Sequence, residues 1–233
     1  MKRSIWLAPV MLIATLGTAL AEEMPESWDG LIEVKAKKMD AAYLAPGADF
    51  RPYTKVIIDP TQAAFNKDWM KRMNDPTRSV SNRITQEDAD KIIAATQSNF
   101  DDIFREAFEK AGYPVVTAPG PDVVRVSTAV INLYVNAPDT MTPGRSRTFT
   151  TDAGEATLVM EVRDSSTRAL LARVLDRRET RGTGQMQMTS SVTNVNDFRM
   201  LFKQWASISI KGIGELKALS PVPTDLKPGQ KLN

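Results

Sequence analysis

Residues 83–112, "RITQEDADKIIAATQSNFDDIFREAFEKAG", carry the clearest hydrophobic pattern in the chain. Ile92, Ile93, Thr96, Phe100, Ile103, Phe104, Ala107, Phe108 and Ala111 recur with a 3.6-residue period, which predicts one apolar face of a helix. Thr85 followed by Asp88 approximates a capping box at its start, and Gly112 suits its end because it has no Cβ to oppose a left-handed turn. Before this helix, "KVIIDP" (55–60) is a continuous apolar run closed by Pro60, the pattern of a short buried strand. After it come "YPVVTA" (113–118), then "PGP" as a turn, then "DVVRVSTAVINLYV" (122–135), long enough for a strand buried on both faces.

The next two runs can be placed in register. "EATLVMEVRD" alternates, with Ala156, Leu158, Met160 and Val162 on one face, and "SSTR" turns the chain into "ALLARVLDRRET". Pairing Val162 with Leu170 sets Met160 opposite Ala172 and Leu158 opposite Val174, so one apolar face runs across both strands. A last helix over 195–219 presents Phe198, Leu201, Phe202, Trp205, Ile208 and Leu216, and Gly212 and Gly214 weaken its final turns, an arrangement consistent with close packing there. The expected fold class is α+β in two layers: a mostly antiparallel sheet of about four to five strands with two helices packed on one face, in the order strand, helix, strand run, helix. The first strand is expected to pair in parallel beside the later ones after a helical crossover.

The ends of the chain read differently. Lys2 and Arg3, the apolar run "IWLAPVMLIATL" and the Ala19-x-Ala21 pair form the three parts of a secretory signal with cleavage after Ala21. That run is shorter than the roughly 20 apolar residues a membrane span needs, and no later stretch matches it. The expected organisation is a signal at 1–21, a polar lead at 22–40, one domain at 41–219, and a disordered Pro-rich tail at 220–233. The expected location is the periplasm.

Composition then narrows the chemistry. The chain has 30 Lys plus Arg and 28 Asp plus Glu; loss of Lys2 and Arg3 with the signal brings the two to parity. With no excess of positive charge and no basic run beyond the mixed "VLDRRETR", there is no electrostatic case for nucleic acid. Cysteine and histidine are both absent, which excludes disulfides, thiol nucleophiles, Ser-His-Asp triads and zinc sites built from His and Cys. No cofactor, metal or catalytic residue set is expected. The register does isolate one oddity: Asp176 falls opposite Ala156 on the apolar face, with Arg178 one step beyond on the same side. An inward carboxylate must be paired or lie at the rim. It is read either as a structural ion pair with an arginine or, together with Asp59 at the end of "VIID", as part of a polar site. Two long polar loops, 137–152 and 182–194, are candidate contact surfaces, with Met186 and Met188 as adaptable apolar groups in the second.

"WDGL" at 28–31, "AAYLAPGADFRPYTKVIIDPTQAAF" at 41–65 and "LLARVLDRRET" in the sheet resemble the bacterial envelope family called domain of unknown function 3313, many of whose members are described as lipoproteins. More loosely, "VRDSSTRALLARV" is similar to a strand, Asp, turn, strand pattern in the curli secretion lipoprotein and in the amino-terminal domain of the Tol-system propeller protein. The resemblance implies an envelope location and offers no catalytic residues. This chain departs from it by lacking the cysteine that would carry a lipid anchor, so no anchor is expected. Two functions follow as expectations. One is a non-enzymatic periplasmic module that binds another envelope component, or itself; the other is a carboxylate-dependent hydrolase of cell-envelope polymer, which requires Asp59, Asp176 and a Lys or Tyr to converge in one cleft.

Overall fold

The computed structural model describes residues 25–74, 83–135, 148–150, 154–180, 187–189 and 191–232. The expected signal at 1–21 and Met186 lie outside the described residues. The described elements are β1 (Ser27–Trp28), β2 (Leu31–Val34), β3 (Ala41–Leu44), β4 (Lys55–Ile58), β5 (Gln62–Phe65), α1 (Trp69–Met73), α2 (Gln86–Lys110), β6 (Val123–Val135), β7 (Thr148–Thr150), β8 (Gly154–Asp164), β9 (Leu170–Glu179), β10 (Gln187–Thr189) and α3 (Ser191–Leu219).

Eight strands form one sheet in the order β1, β2, β3, β9, β8, β6, β4, with β5 also pairing β6. β4 and β5 run parallel to β6, and the other pairs are antiparallel. The parallel pairing of "KVII" was legible in the sequence. The fold class was not: among the described residues the sheet is mixed and eight-stranded with three helices, instead of mostly antiparallel with four to five strands and two helices. The additional elements are four-residue or shorter strands and a five-residue helix, too short to show a period. β9 explains why three of them exist. Ala172 and Asp176 are buried on one of its faces, Arg173 and Leu175 on the other, so it is an interior strand that needs partners on both sides. β3 is the second partner, with Ala41 opposite Leu175 and Leu44 opposite Ala172. The segment 22–40 is therefore no mere polar lead; it contributes two strands, and Leu31 and Val34 are buried. "YPVVTA" is not a strand, because between Pro114 and Pro119 only Val115 bridges to Val56.

The β8–β9 register also differs. Val162 faces Ala172, Met160 faces Val174 and Leu158 faces Asp176, with a bulge between Val162 and Arg163. The Asp164 side chain accepts hydrogen bonds from the backbone of Ser166 and Thr167, which tightens the turn and sets the strands two residues from the simplest pairing. A two-residue shift preserves faces. Ala156, Leu158, Met160 and Val162 all lie in the main core as expected, but the bulge turns Leu170 to the opposite face and puts Leu171 in its place.

α2 begins with the full capping box of Thr85 and Asp88, and Gly112 at φ +83° ends it. Its Phe100 and Phe104 pack in the core, where Phe100 meets Phe202 of α3 edge-on at 5.2 Å. α1 is anchored by fully buried Trp69, which stacks on Phe65 at 3.8 Å and donates through its indole N–H to the Val135 carbonyl at 3.0 Å. Gly212 and Gly214 of α3 are not close-packing devices, since a Cβ at either would meet nothing within 4 Å. Within the two polar stretches β7 pairs antiparallel with β10 as a separate two-stranded ribbon, while residues 137–147, 151–152, 182–186 and 190 lie outside the described residues. The tail is packed rather than disordered. Val222 and Leu226 are buried, Val222 exchanges backbone hydrogen bonds with Gly47 and Ala48, and Gln230 bridges to Val34 in parallel. Two apolar side chains with satisfied backbone partners suffice to order so short a segment.

Candidate functional site

The two halves of α3 meet the sheet differently. Phe198, Leu201, Phe202 and Trp205 fill the space beneath the first half. Beneath the second, Ala42, Ala172, Ser209 and Gly212 are too small to do so, and a cavity of about 510 Å³ remains. Its floor is Leu44, Met160, Val162 and Val174; Ile208, Ile213 and Leu216 wall it on the helix side. The opposite wall is the connection between β2 and β3, including Met39, and Leu232 of the packed tail closes one end. This volume falls in the usual range for small-ligand clefts. The lining is mostly apolar, with the Ser209 hydroxyl within it, and at its mouth the exposed Lys35, Lys37, Lys38, Lys211 and Lys231 stand with one lining carboxylate, Glu215.

Asp176 holds one side of that mouth in place. Its side chain is 2% exposed and accepts from the Trp205 indole N–H at 2.6 Å, from the Asp40 backbone N–H at 3.2 Å, and from the Arg178 guanidinium. Arg178 in turn donates to the Lys38 carbonyl at 2.7 Å, and the Asp40 carboxylate accepts from the Arg177 N–H at 2.8 Å. One buried acid thus ties β9, α3 and the lysine-bearing connection together. A second, open hollow lies beside the cleft, sharing Lys37, Lys38 and Met39 and lined further by Asp40, Asp176 and Arg178. The expectation of an inward Asp176 paired with an arginine matches this geometry, with Asp176 opposite Leu158 and Arg178 opposite Ala156.

The family model described as "Protein of unknown function (DUF3313)" matches residues 20–208. The chain belongs to this family. No curated protein sequence matches it. Among solved structures, a PelC dodecamer from Paraburkholderia phytofirmans is 12% identical, with 72% of this chain and 96% of that chain covered and a TM-score of 0.36. A DUF330 protein from Xanthomonas campestris is also 12% identical, covering 77% of this chain and 96% of that one, TM-score 0.36. A DUF4136 protein from Bacteroides thetaiotaomicron is 10% identical over 82% of this chain and 98% of that one, TM-score 0.31. None of the described helices of this DUF3313 chain is long and apolar enough to cross a membrane.

Asp59 does not join Asp176. It accepts from the Arg125 guanidinium at 2.8 and 2.5 Å and from the Ser127 hydroxyl at 2.6 Å. Arg125 and Ser127 alternate along β6 with Val124, Val126 and Thr128, which are buried on the helix side, so Asp59 lies on the far face of the sheet from Asp176. The convergence a carboxylate-dependent hydrolase would need is not formed. The far face instead holds a structural ion cluster. Arg173, 1% exposed, donates to Glu161 at 3.0 and 2.6 Å and to Asp29 at 2.8 Å, with the Trp28 ring 4.1 Å from its guanidinium carbon.

Burial works to raise the Asp59 carboxyl, but hydrogen bonds from Arg125 and Ser127 and the Arg125 charge outweigh it, leaving the group below its ordinary value of 3.8. Asp164 behaves alike: burial opposes ionisation, while the Thr167 N–H and the Tyr53 and Thr167 hydroxyls favour it. A depressed folded-state pKa gives stability that is present above the unfolded value and lost as pH falls through the folded one. Unfolding in urea should therefore become easier below about pH 4. Asp59→Asn should be less stable than the native chain at neutral pH and show a smaller loss between neutral and acid pH. An unchanged acid slope in that variant would remove Asp59 from the account.

The cleft of this DUF3313 domain was missed in the sequence. Lys35, Lys37 and Lys38 sat in a segment read as a polar lead, Lys231 and Leu232 in a tail read as disordered. The available signal was "VKAKKM", three lysines within four positions beside apolar residues, and a second apolar series on α3 through Ile208, Ile213 and Leu216.

Proposed function

We propose that this chain is a non-catalytic periplasmic module of the cell envelope that binds another envelope component, and that the cleft beneath the second half of α3 receives an apolar part of it. The cleft itself supports this reading: a preformed apolar volume of about 510 Å³ on a rigid sheet, with the nearest buried acid, Asp176, committed to Trp205 and Arg178. Export follows from the amino-terminal pattern ending at Ala21, and the absence of any cysteine favours a form without a lipid anchor.

The uncharged dye N-phenylnaphthylamine, which brightens in apolar surroundings, tests the cleft on the chain lacking its first 21 residues. The native protein should enhance its fluorescence saturably. Gly212→Trp should abolish the enhancement while retaining the fold, because Gly212 lines the cleft and a side chain there starts in open space. No enhancement, or equal enhancement in Gly212→Trp, would overturn the assignment.

A further inference from the structure

The cleft's interior and its mouth ask for opposite chemistries. Within, the lining offers a ligand almost no hydrogen bonds: the Ser209 hydroxyl already donates to the Trp205 carbonyl at 2.8 Å. Tyr43 Oη, Thr157 Oγ1 and Arg173 Nη1 are buried without partners among the described residues, but they belong to the other face of the sheet, where Tyr43 and Arg173 pack with Trp28. A peptide or sugar placed inside would leave its polar groups unpaired, at a cost that an acyl chain avoids.

At the mouth, three separate elements bring positive charge to one opening. Lys35, Lys37 and Lys38 stand on the β2–β3 connection, Lys211 on α3 and Lys231 on the tail; Glu215 is the one carboxylate in the cleft's own lining, and of the acids in the adjoining hollow Asp176 is committed to Arg178 while Asp40 and Glu179 stand beside Arg177 and Arg178. All five lysines are exposed, and among the described residues the lysines in ion pairs are Lys55, Lys91 and Lys110, none of them here. Nor is this the reflection of a basic protein, since the chain after Ala21 has equal numbers of basic and acidic residues. The excess is local and faces the ligand's point of entry. Lysine suits a head group whose geometry is not fixed, because its ammonium is a mobile point charge on a flexible stem.

We infer that the occupant is a single acyl chain bearing an anionic head group, with the chain in the cleft and the head among the rim lysines. This rests on the binding reading above and specifies its ligand. Asp176 and Arg178 act at one remove: they position the connection that carries Lys35, Lys37 and Lys38, and they do not meet the ligand.

The experiment uses a dansyl-labelled undecanoate as fluorescent probe, displaced by dodecanoate, by dodecyl phosphate and by the uncharged dodecyl glucoside, each below its micelle concentration and at low salt. The probe should bind saturably. Both anionic competitors should displace it at concentrations about tenfold lower than the glucoside, and this gap should narrow at about 0.5 M salt. The double variant Lys37→Glu/Lys211→Glu should bind the probe about tenfold more weakly and lose the preference for anionic heads. Gly212→Trp should abolish probe binding. Equal displacement by the glucoside, or an unaltered affinity in the double variant, would overturn the anionic head group, while retained binding of N-phenylnaphthylamine would leave the cleft reading standing. Failure of the native chain to bind either probe would overturn both.

Discussion

Asp176→Ala should destabilise the domain by about 3 kcal/mol, because it removes the acceptor of a buried indole and the counter-charge of a partly exposed guanidinium in one step. Trp205 is fully buried, and Asp176 receives its N–H at 2.6 Å in the centre of the α3–sheet interface. The truncation would leave that N–H, the Asp40 N–H and the Arg178 side chain without their shared carboxylate. For a domain of this size the melting temperature should fall by roughly 10 °C. Asp176→Asn keeps an oxygen for Trp205 but loses the charge facing Arg178, so it should recover part of the loss. The defect should extend to the cleft, since the β2–β3 connection is tied to β9 through the same group. A melting temperature within a degree or two of the native value for Asp176→Ala would mean that the clamp contributes little and that α3 is held by its aromatic packing alone.

Gly154→Ala should be nearly as severe, although it adds one methyl group. Gly154 sits opposite Val135 where β8 begins, next to the bulge at which β6 and β8 change register between Ile131 and Tyr134. A Cβ there would overlap the Tyr134 carbonyl oxygen and lie 2.8 Å from the Phe198 ring. The ring could turn, but the carbonyl is main chain in a paired strand, so relief requires the strand end to move. The expected cost is about 3 kcal/mol, the upper part of the range for overpacking. Chemical denaturation of Gly154→Ala beside Gly214→Ala makes the comparison internal, because a Cβ at Gly214 meets nothing and should if anything stabilise α3. Equal midpoints for the two variants would refute the clash.

These effects mark how far the sequence could be read. α2 was legible with both ends because its signals are local: the 3.6 period, Thr85 with Asp88, and Gly112 act within a few residues of one another. β6, β8 and β9 were legible as long apolar or alternating runs, and the facing of Ala156, Leu158, Met160 and Val162 followed from the two-residue period. Pairing register was not, because a single bulge beside Arg163 and an Asp164-centred turn move it without changing the hydrophobic pattern. Nor were the short strands. "LIEV" and "AAYL" have too few residues for a period; "AAYL" is a strand because it pairs with the second edge of β9, and "LIEV" because it pairs with "AAYL".

The sequence alone determined the long elements, their inward faces, the inward carboxylate at Asp176 and the absence of histidine and thiol chemistry, since all of these depend on spacing or composition. Only the tertiary structure decided that 27–44 extends the sheet, that residues 220–232 pack against it, and that Asp59 and Asp176 lie on opposite faces. It alone brought Lys35, Lys37, Lys38, Lys211 and Lys231, from three distant segments, around one apolar cleft. The physical reason is that a cavity arises from what neighbouring elements fail to fill: Ala42, Ala172 and Gly212 are unremarkable in the chain and form a cleft only when β3, β9 and α3 set them facing one another.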